Sequence, residues 1–373
     1  MQAGEDKPKR HQVFKLLRIE PSVTKYVRLW GVSNGCGQKH HSALPAGVPN
    51  RQLGPRALAR VGTLARQFHQ KPRKVQDVLS HSMGTHFMDT VSQAHGLVSQ
   101  ALVAPVVQLS AELQHAPMCA ADETRHQSHG YAVWLWVLVG DWGARFRIDP
   151  SCAQLAPKLI LGERPGFSTF SDRCACCSYL PIEQRQVCRA HLLHDFERIA
   201  VRAILGGRVG RRLPGFGCLL FRWRTAQKPA QHFEWLRKRI QIKLELRSTQ
   251  TQCSRTANTC TNLIRIWPAP WSGTRNPMVP PPNNAAERAL RDFSIKRKLS
   301  YCTLSKRGTD FIETIFSTVQ TCKTQGREAY EFATKRCRVG APSCGPPALC
   351  SNTPTFAIPT SEARRAVRRF TVL

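Results

Sequence analysis

Three carboxylates carry the chemistry this chain could do. Asp122 follows the short apolar run Pro117-Met118-Cys119-Ala120-Ala121, and Asp172 follows Gly166-Phe167-Ser168-Thr169-Phe170-Ser171. Glu287 sits among basic residues in Asn283-Asn284-Ala285-Ala286-Glu287-Arg288-Ala289-Leu290-Arg291. Three acids brought to one place repel each other unless a cation lies between them, and hard carboxylate oxygens suit Mg²⁺ or Mn²⁺. Two ions held this way activate a water or a 3′ hydroxyl and stabilise the leaving oxygen of a phosphodiester. Alone, Glu287 would be no more than a partner for a helix dipole. Convergence with the two Asp residues is what would make it a ligand.

The elements that must position these acids are legible. Pro280-Pro281-Pro282 cannot continue a helix, Asn283 or Asn284 is a good N-cap, and the Ala/Leu/Arg run that follows favours helix, so Glu287 falls in the first turn. Asp122 and Asp172 are read at the carboxyl ends of two strands, where reactive groups gather in open α/β sheets. Tyr131 to Val139 reads as a buried strand, Gly140-Asp141-Trp142-Gly143 as a hairpin turn and Arg145 to Ile148 as its partner. A helix is expected from Ser151 to Leu161, capped by Ser151, then a strand from Gln186 to Ala190 opening into a helix from His191 to Ala203. From Pro55 to about Gln114 the pattern is helical. Leu58, Val61, Leu64 and Ala65 share one face, Val75, Val78 and Leu79 the next, with Arg56, Arg60, Arg66, Lys71, Arg73 and Lys74 on the other sides. Thr309 to Tyr330 reads as one amphipathic helix.

The separations are unequal. Fifty positions lie between the two Asp residues (172 − 122) and 115 between Asp172 and Glu287 (287 − 172), which leaves room for a mostly helical insertion. Within it, Leu219 to Arg224 and Phe233 to Leu246 interleave apolar and basic residues, as expected of helices with an outer face near phosphates. Gly206-Gly207-Arg208-Val209-Gly210 lacks the Lys-Ser/Thr of a phosphate loop and reads as a turn.

An ordered series of short motifs resembles the transposases of the insertion sequence 66 family. It comprises Leu44-Pro45-Ala46-Gly47-Val48-Pro49 with Gly54-Pro55-Arg56, Ala121-Asp122-Glu123-Thr124 and Trp134-Leu135-Trp136-Val137. Ser171-Asp172-Arg173, Arg185 to Cys188 with Ala190-His191-Leu192, and Cys253 to Ala257 follow. Asn283 to Arg291, Arg297 to Ser300 and Arg307-Gly308 complete it. The resemblance implies an α/β chain with a ribonuclease-H-like core, an N-terminal helical DNA-contacting region and a helical insertion before the last catalytic helix. It implies a basic region with a degenerate zinc motif over 1–54, a helical, helix-turn-helix-like segment over 55–114 and a first core part over 115–203. The insertion then covers 204–280 and the last core part 281–335; beyond Lys335 the resemblance fades, and the Pro/Cys/Ser-rich composition of 336–373 reads as a disordered basic tail. The implied function is metal-dependent cleavage and strand transfer at the ends of a mobile element. Asp122, Asp172 and Glu287 would be catalytic metal ligands for two Mg²⁺ or Mn²⁺ ions, and Arg288, Arg291, Arg297 and Lys298 DNA contacts. Implied partners are element-end and target DNA and further copies of the chain, with no membrane and a cytoplasmic, nucleoid-associated setting.

Composition agrees with a polyanionic partner: 55 Lys and Arg against 24 acids give a net charge of +31. A basic structural protein with no special site is the bland reading of the same charge. Glu5, Asp6 and Lys7 precede any apolar run, unlike a secretory signal, and Ala132 to Val139 is too short to span a bilayer. The fifteen cysteines form no repeated C-x-x-C pair. Where relatives have C-x-x-C-G, this chain has Ser33 and Cys36-Gly37, too few thiolates to hold zinc. Cys174, Cys176, Cys177, Cys188, His191 and His194 could be read as a metal cluster, but their spacing fits no standard site. Relatives typically have Tyr at positions 174 and 177, Trp at 189 and Arg at 194, each one transition away in the genetic code. Pro214 stands where relatives have Leu, at a cost of about 3 kcal/mol if it lies inside a helix. These departures leave a second reading, a catalytically inactive DNA-binding remnant.

Overall fold

The computed structural model describes residues 11–15, 20–46, 48, 51–83, 90–163, 165–173, 175–202, 212–271 and 284–338. Pro280 to Asn283, Gly206 to Gly210, Cys174 and the tail from 339 onward lie outside the described residues.

A small hairpin pairs β1 (Trp30–Val32) with β2 (Lys39–His41). The main sheet has six strands. β3 (Met118–Ser128), β4 (Tyr131–Val139) and β5 (Ala144–Asp149) form an antiparallel meander; β6 (Ser168–Ser171) and β7 (Arg185–Val187) extend it in parallel from β3. β8 (Cys302–Thr303) runs parallel to the end of β3. The first hairpin closes on His129 and Gly130, with φ of 53° and 80°. A two-residue turn with positive φ at both positions matches the twist of the strands it joins, and glycine supplies the second without strain.

That turn corrects one expectation. Asp122 lies in the middle of β3, not at its carboxyl end. Ala120 to Ser128 pair without a break with Val139 to Tyr131. The polar stretch after Asp122 hides this in the sequence, yet His126 and Ser128 are buried and alternate with exposed Arg125 and Gln127.

The helices α1 (Pro55–Gln67), α2 (Pro72–Met83) and α3 (Thr90–Leu113) precede the sheet. α3 is long and apolar enough to cross a membrane by length and composition. Its apolar character serves a core: Val98, Leu102, Val106, Leu109 and Leu113 are buried in the main hydrophobic cluster with residues of α1 and β4. Arg66 departs from its expected place on the outer side of α1. It is 2% exposed, its guanidinium lies 3.9 Å from the centroid of the Phe316 ring, and it pairs with Asp292 at 3.2 Å. Val78, expected on the inner face of α2, is exposed.

Between the strands lies α4 (Leu155–Leu161), shorter than expected. Asp149 and Ser151 accept hydrogen bonds from the N–H groups of Ser151 and Ala153, so local turns occupy the segment and Ser151 caps no helix. The expected strand at 186–190 ends at Val187, and α5 (Arg189–Arg202) begins there. With α6 (Leu213–Thr225), α7 (Ala230–Gln250) and α8 (Ser254–Arg265) it builds a second cluster around Phe196, Leu220, Leu236, Ile240, Leu244 and Leu263. Pro214 is in the first turn of α6, where its missing N–H has no intrahelical partner to lose, so the anticipated penalty does not arise.

The chain returns to the sheet with α9 (Asn284–Ser300) and then α10 (Lys306–Thr324) and α11 (Ala329–Arg338), two helices where one was expected. α10 seals the sheet edge. The backbone N–H groups of Ala144, Phe146 and Ile148 on edge strand β5 donate to Thr321 Oγ1 (3.1 Å), Ser317 Oγ (2.9 Å) and Glu313 Oε1 (2.8 Å). Four residues of helix rise about 6 Å and two residues of strand about 6.8 Å, so the two periods stay in step over three contacts. An edge that could pair with another chain is thereby occupied.

Candidate active site

β3 and β6 are parallel neighbours, and Ala120 is level with Phe170. β6 ends at Ser171, so Asp172 follows directly from the strand that pairs with β3, and it is near enough to Asp122 to raise its carboxyl. Residues of like parity on a strand share a face, so Asp122 lies on the same side of β3 as His126. α9 packs across β3 on that side. Phe293 meets His126 edge-on at 5.1 Å, and Arg297 Nη1 donates to Thr124 Oγ1 at 3.0 Å and to the Arg125 carbonyl. Glu287 is the acid in the first turn of α9.

The acids feel one another. Burial first, with Asp172 and Glu287 adding to it, pushes the Asp122 carboxyl up to about 6, against a hydrogen bond from the Glu123 N–H at 2.9 Å. Glu123, which sequence reasoning passed over, is pushed up to about 8 by burial, then by Asp172 and Asp122. His191 is the opposing charge: its hydrogen bond with Cys188, followed by Asp172 and Glu287 among the raising causes, lifts it to about 9. Half-buried carboxyls that raise each other's proton affinity lack positive charge, and a hard divalent cation supplies it. The donor set fits Mg²⁺ or Mn²⁺.

This has a thermal consequence. With its folded pKa above the unfolded one, each acid makes the folded chain bind more protons than the unfolded chain. Metal-free stability therefore falls as pH rises from the usual carboxylate range of about 4 through about 6 for Asp122 and about 8 for Glu123. Millimolar Mg²⁺ is expected to raise Tm by about 2 °C at pH 8 and by much less at pH 5, where Asp122 is largely protonated. Thermal melts at both pH values check this, and equal shifts would count against the site.

The basic residues expected to face DNA part ways. Arg288, Arg291 and Lys298 are exposed on α9. Arg297 is engaged with β3. Lys296, beside Arg297 on α9, turns inward: its Nζ is 3.5 Å from the Gln70 carbonyl, and burial, then Arg66, brings it down to about 8. The cysteine-rich segment also divides. His194 is exposed and pairs with Glu197 at 3.1 Å, whereas Cys188 and His191 come to Glu287, the three donor atoms lying within 4.8 Å of one another. That meeting had no signal in the sequence beyond the i, i+3 spacing of Cys188 and His191.

Residues 51–310 match the family model described as Transposase IS66 family. The chain belongs to the IS66 transposase family. No curated protein matches it. The IS66 match runs from just before α1 into the start of α10, and so takes in the whole main sheet, α5 to α8 and the Glu287 helix. Membership of this Asp-Asp-Glu family implies a DNA substrate and the use of divalent metal.

Proposed function

We propose that this chain cuts the ends of a mobile DNA element and joins them to target DNA, on a ribonuclease-H-like core, with Asp122, Asp172 and Glu287 as its metal ligands. The observation that carries the reading is that Asp172, which follows directly from β6 beside β3, and Glu287 in α9 are both near enough to Asp122 to raise its carboxyl. A three-strand meander prolonged by two parallel strands from its first strand supports the core assignment. Mg²⁺ or Mn²⁺, when bound by these acids, would activate the attacking hydroxyl and stabilise the leaving oxygen.

The chain's own residues do the rest. Arg288, Arg291 and Lys298 offer positive charge to the strand beside the acids, and phosphate contacts of this kind position DNA without reading its sequence. Arg297 holds α9 to β3 and so keeps Glu287 over the sheet. The second core formed by α5 to α8 carries exposed basic residues, Lys238 and Arg239 among them, that extend the DNA-facing surface. The division into an N-terminal helical region, an interrupted core and an insertion is part of the same proposal, as is action by several copies on DNA.

Purified full-length chain with Mg²⁺ or Mn²⁺ is expected to nick and join duplexes carrying the inverted repeats that flank its coding region, and to stop when the metal is chelated. Salt-sensitive DNA binding by folded protein with no nicking in either metal would sink the catalytic reading and leave a DNA-binding remnant.

A further inference from the structure

We infer that Cys188, His191 and Glu287 form a site for one Zn²⁺ ion, separate in its ligand chemistry from the hard-cation site. Cys188 is fixed where β7 gives way to α5: its N–H donates to the Ser171 carbonyl at 2.9 Å, and its buried side chain packs with Phe170. His191 stands three residues on, in the first turn of α5, so both side chains leave the same side of one turn. Glu287 arrives from the first turn of α9. The sulfur, an imidazole nitrogen and a carboxylate oxygen lie within 4.8 Å of one another. A tetrahedral zinc site with its ordinary bond lengths sets such atoms about 3.5 Å apart. An inward movement of about 1 Å closes the set, and His191, exposed on its outer side, already meets Cys188 through a hydrogen bond.

The ligand types decide the metal. Thiolate and imidazole favour zinc over magnesium, which prefers oxygen. Three protein ligands leave a fourth position for water. Binding replaces the Cys188 thiol proton, which goes to solvent. On the reading proposed above, Glu287 is also a ligand of the hard-cation site, so zinc would withdraw it from Asp122 and Asp172 and act as an inhibitor.

The site is tested on full-length protein without DNA, with Co²⁺ as the spectroscopic probe and Zn²⁺ as competitor. A thiolate-to-cobalt charge-transfer band, abolished by Zn²⁺, is expected in the parent chain and lost in Cys188→Ser. His191→Gln is expected to weaken Zn²⁺ binding by ~100-fold and Glu287→Gln by ~10-fold. Because Cys188 is buried, His191→Gln is the variant expected to stay folded, and circular dichroism checks both. No thiolate band in the parent chain, or a band and zinc affinity unchanged in both Cys188→Ser and His191→Gln, overturns the site. The two readings fail separately: a band without DNA cleavage supports the zinc site while the transposition reading falls, and cleavage without a band does the reverse.

Discussion

Asp122→Asn is expected to lower the single-turnover rate of strand cleavage by ~10³-fold or more while DNA affinity stays at the parent level or rises. The substitution keeps the shape of the side chain and the backbone of β3, which is held by its pairing with β4 on one side and β6 on the other. What it removes is one negative charge and the anionic oxygen that a metal would need. Loss of that charge removes the burial penalty and the acid repulsion that together push Asp122 up to about 6, and takes one of the acids away from Glu123, which burial first pushes up to about 8, so the metal-free variant should melt above the parent chain at pH 8. A catalytic defect joined to a gain in stability separates this residue from a structural acid, whose removal would cost both. Arg288→Ala with Arg291→Ala is the contrast: binding should weaken and the salt slope fall by about 2, with the cleavage rate of bound DNA little changed. Rapid-quench cleavage and anisotropy titrations at several salt concentrations measure these quantities. Parent-like cleavage by Asp122→Asn would remove the acids from the mechanism.

Arg189→Met is expected to stabilise the chain by about 1–4 kcal/mol. Arg189 is 1% exposed at the start of α5, and burial, then Arg224, pushes its guanidinium down to about 9. Its Nε donates to the Pro270 carbonyl at 3.1 Å, but Nη1 and Nη2 are buried with no hydrogen-bond partner among the described residues. A guanidinium in that setting loses its hydration without recovering it from carboxylates or carbonyls. Methionine keeps much of the volume and none of the charge, and the Pro270 carbonyl remains within 3.4 Å of Gln186 Nε2. The Trp that the family resemblance implies at this position would fit the same apolar setting. Chemical denaturation of the two proteins decides it: a destabilised Arg189→Met would mean that the guanidinium is satisfied and belongs to the site.

The positions where structure departs from sequence reading share one cause. Arg66 looked like surface because Arg usually is, yet Asp292, 226 positions away along the chain, gives it a partner in the core. Thr314, Ser317, Thr318 and Thr321 lie within the segment expected as an amphipathic helix, and all four are buried. Three of the polar side chains on α10 serve β5, whose edge N–H groups no local pattern places beside them.

Local order was determined by the sequence itself. The β4 to β5 hairpin, the helix that opens after the proline run with Glu287 in its first turn, and the apolar faces of α1 and α2 at Leu58, Val61 and Val75 follow from turn chemistry, propensity and period, all of which act over a few residues. Tertiary structure alone decided that Asp172 and Glu287 act on Asp122, that Glu123 joins their field, and that Cys188 and His191 come to Glu287. Those meetings depend on strand register and on the docking of α5 and α9 against the sheet. Both are settled by burial between segments far apart in the chain, which no short window of sequence contains.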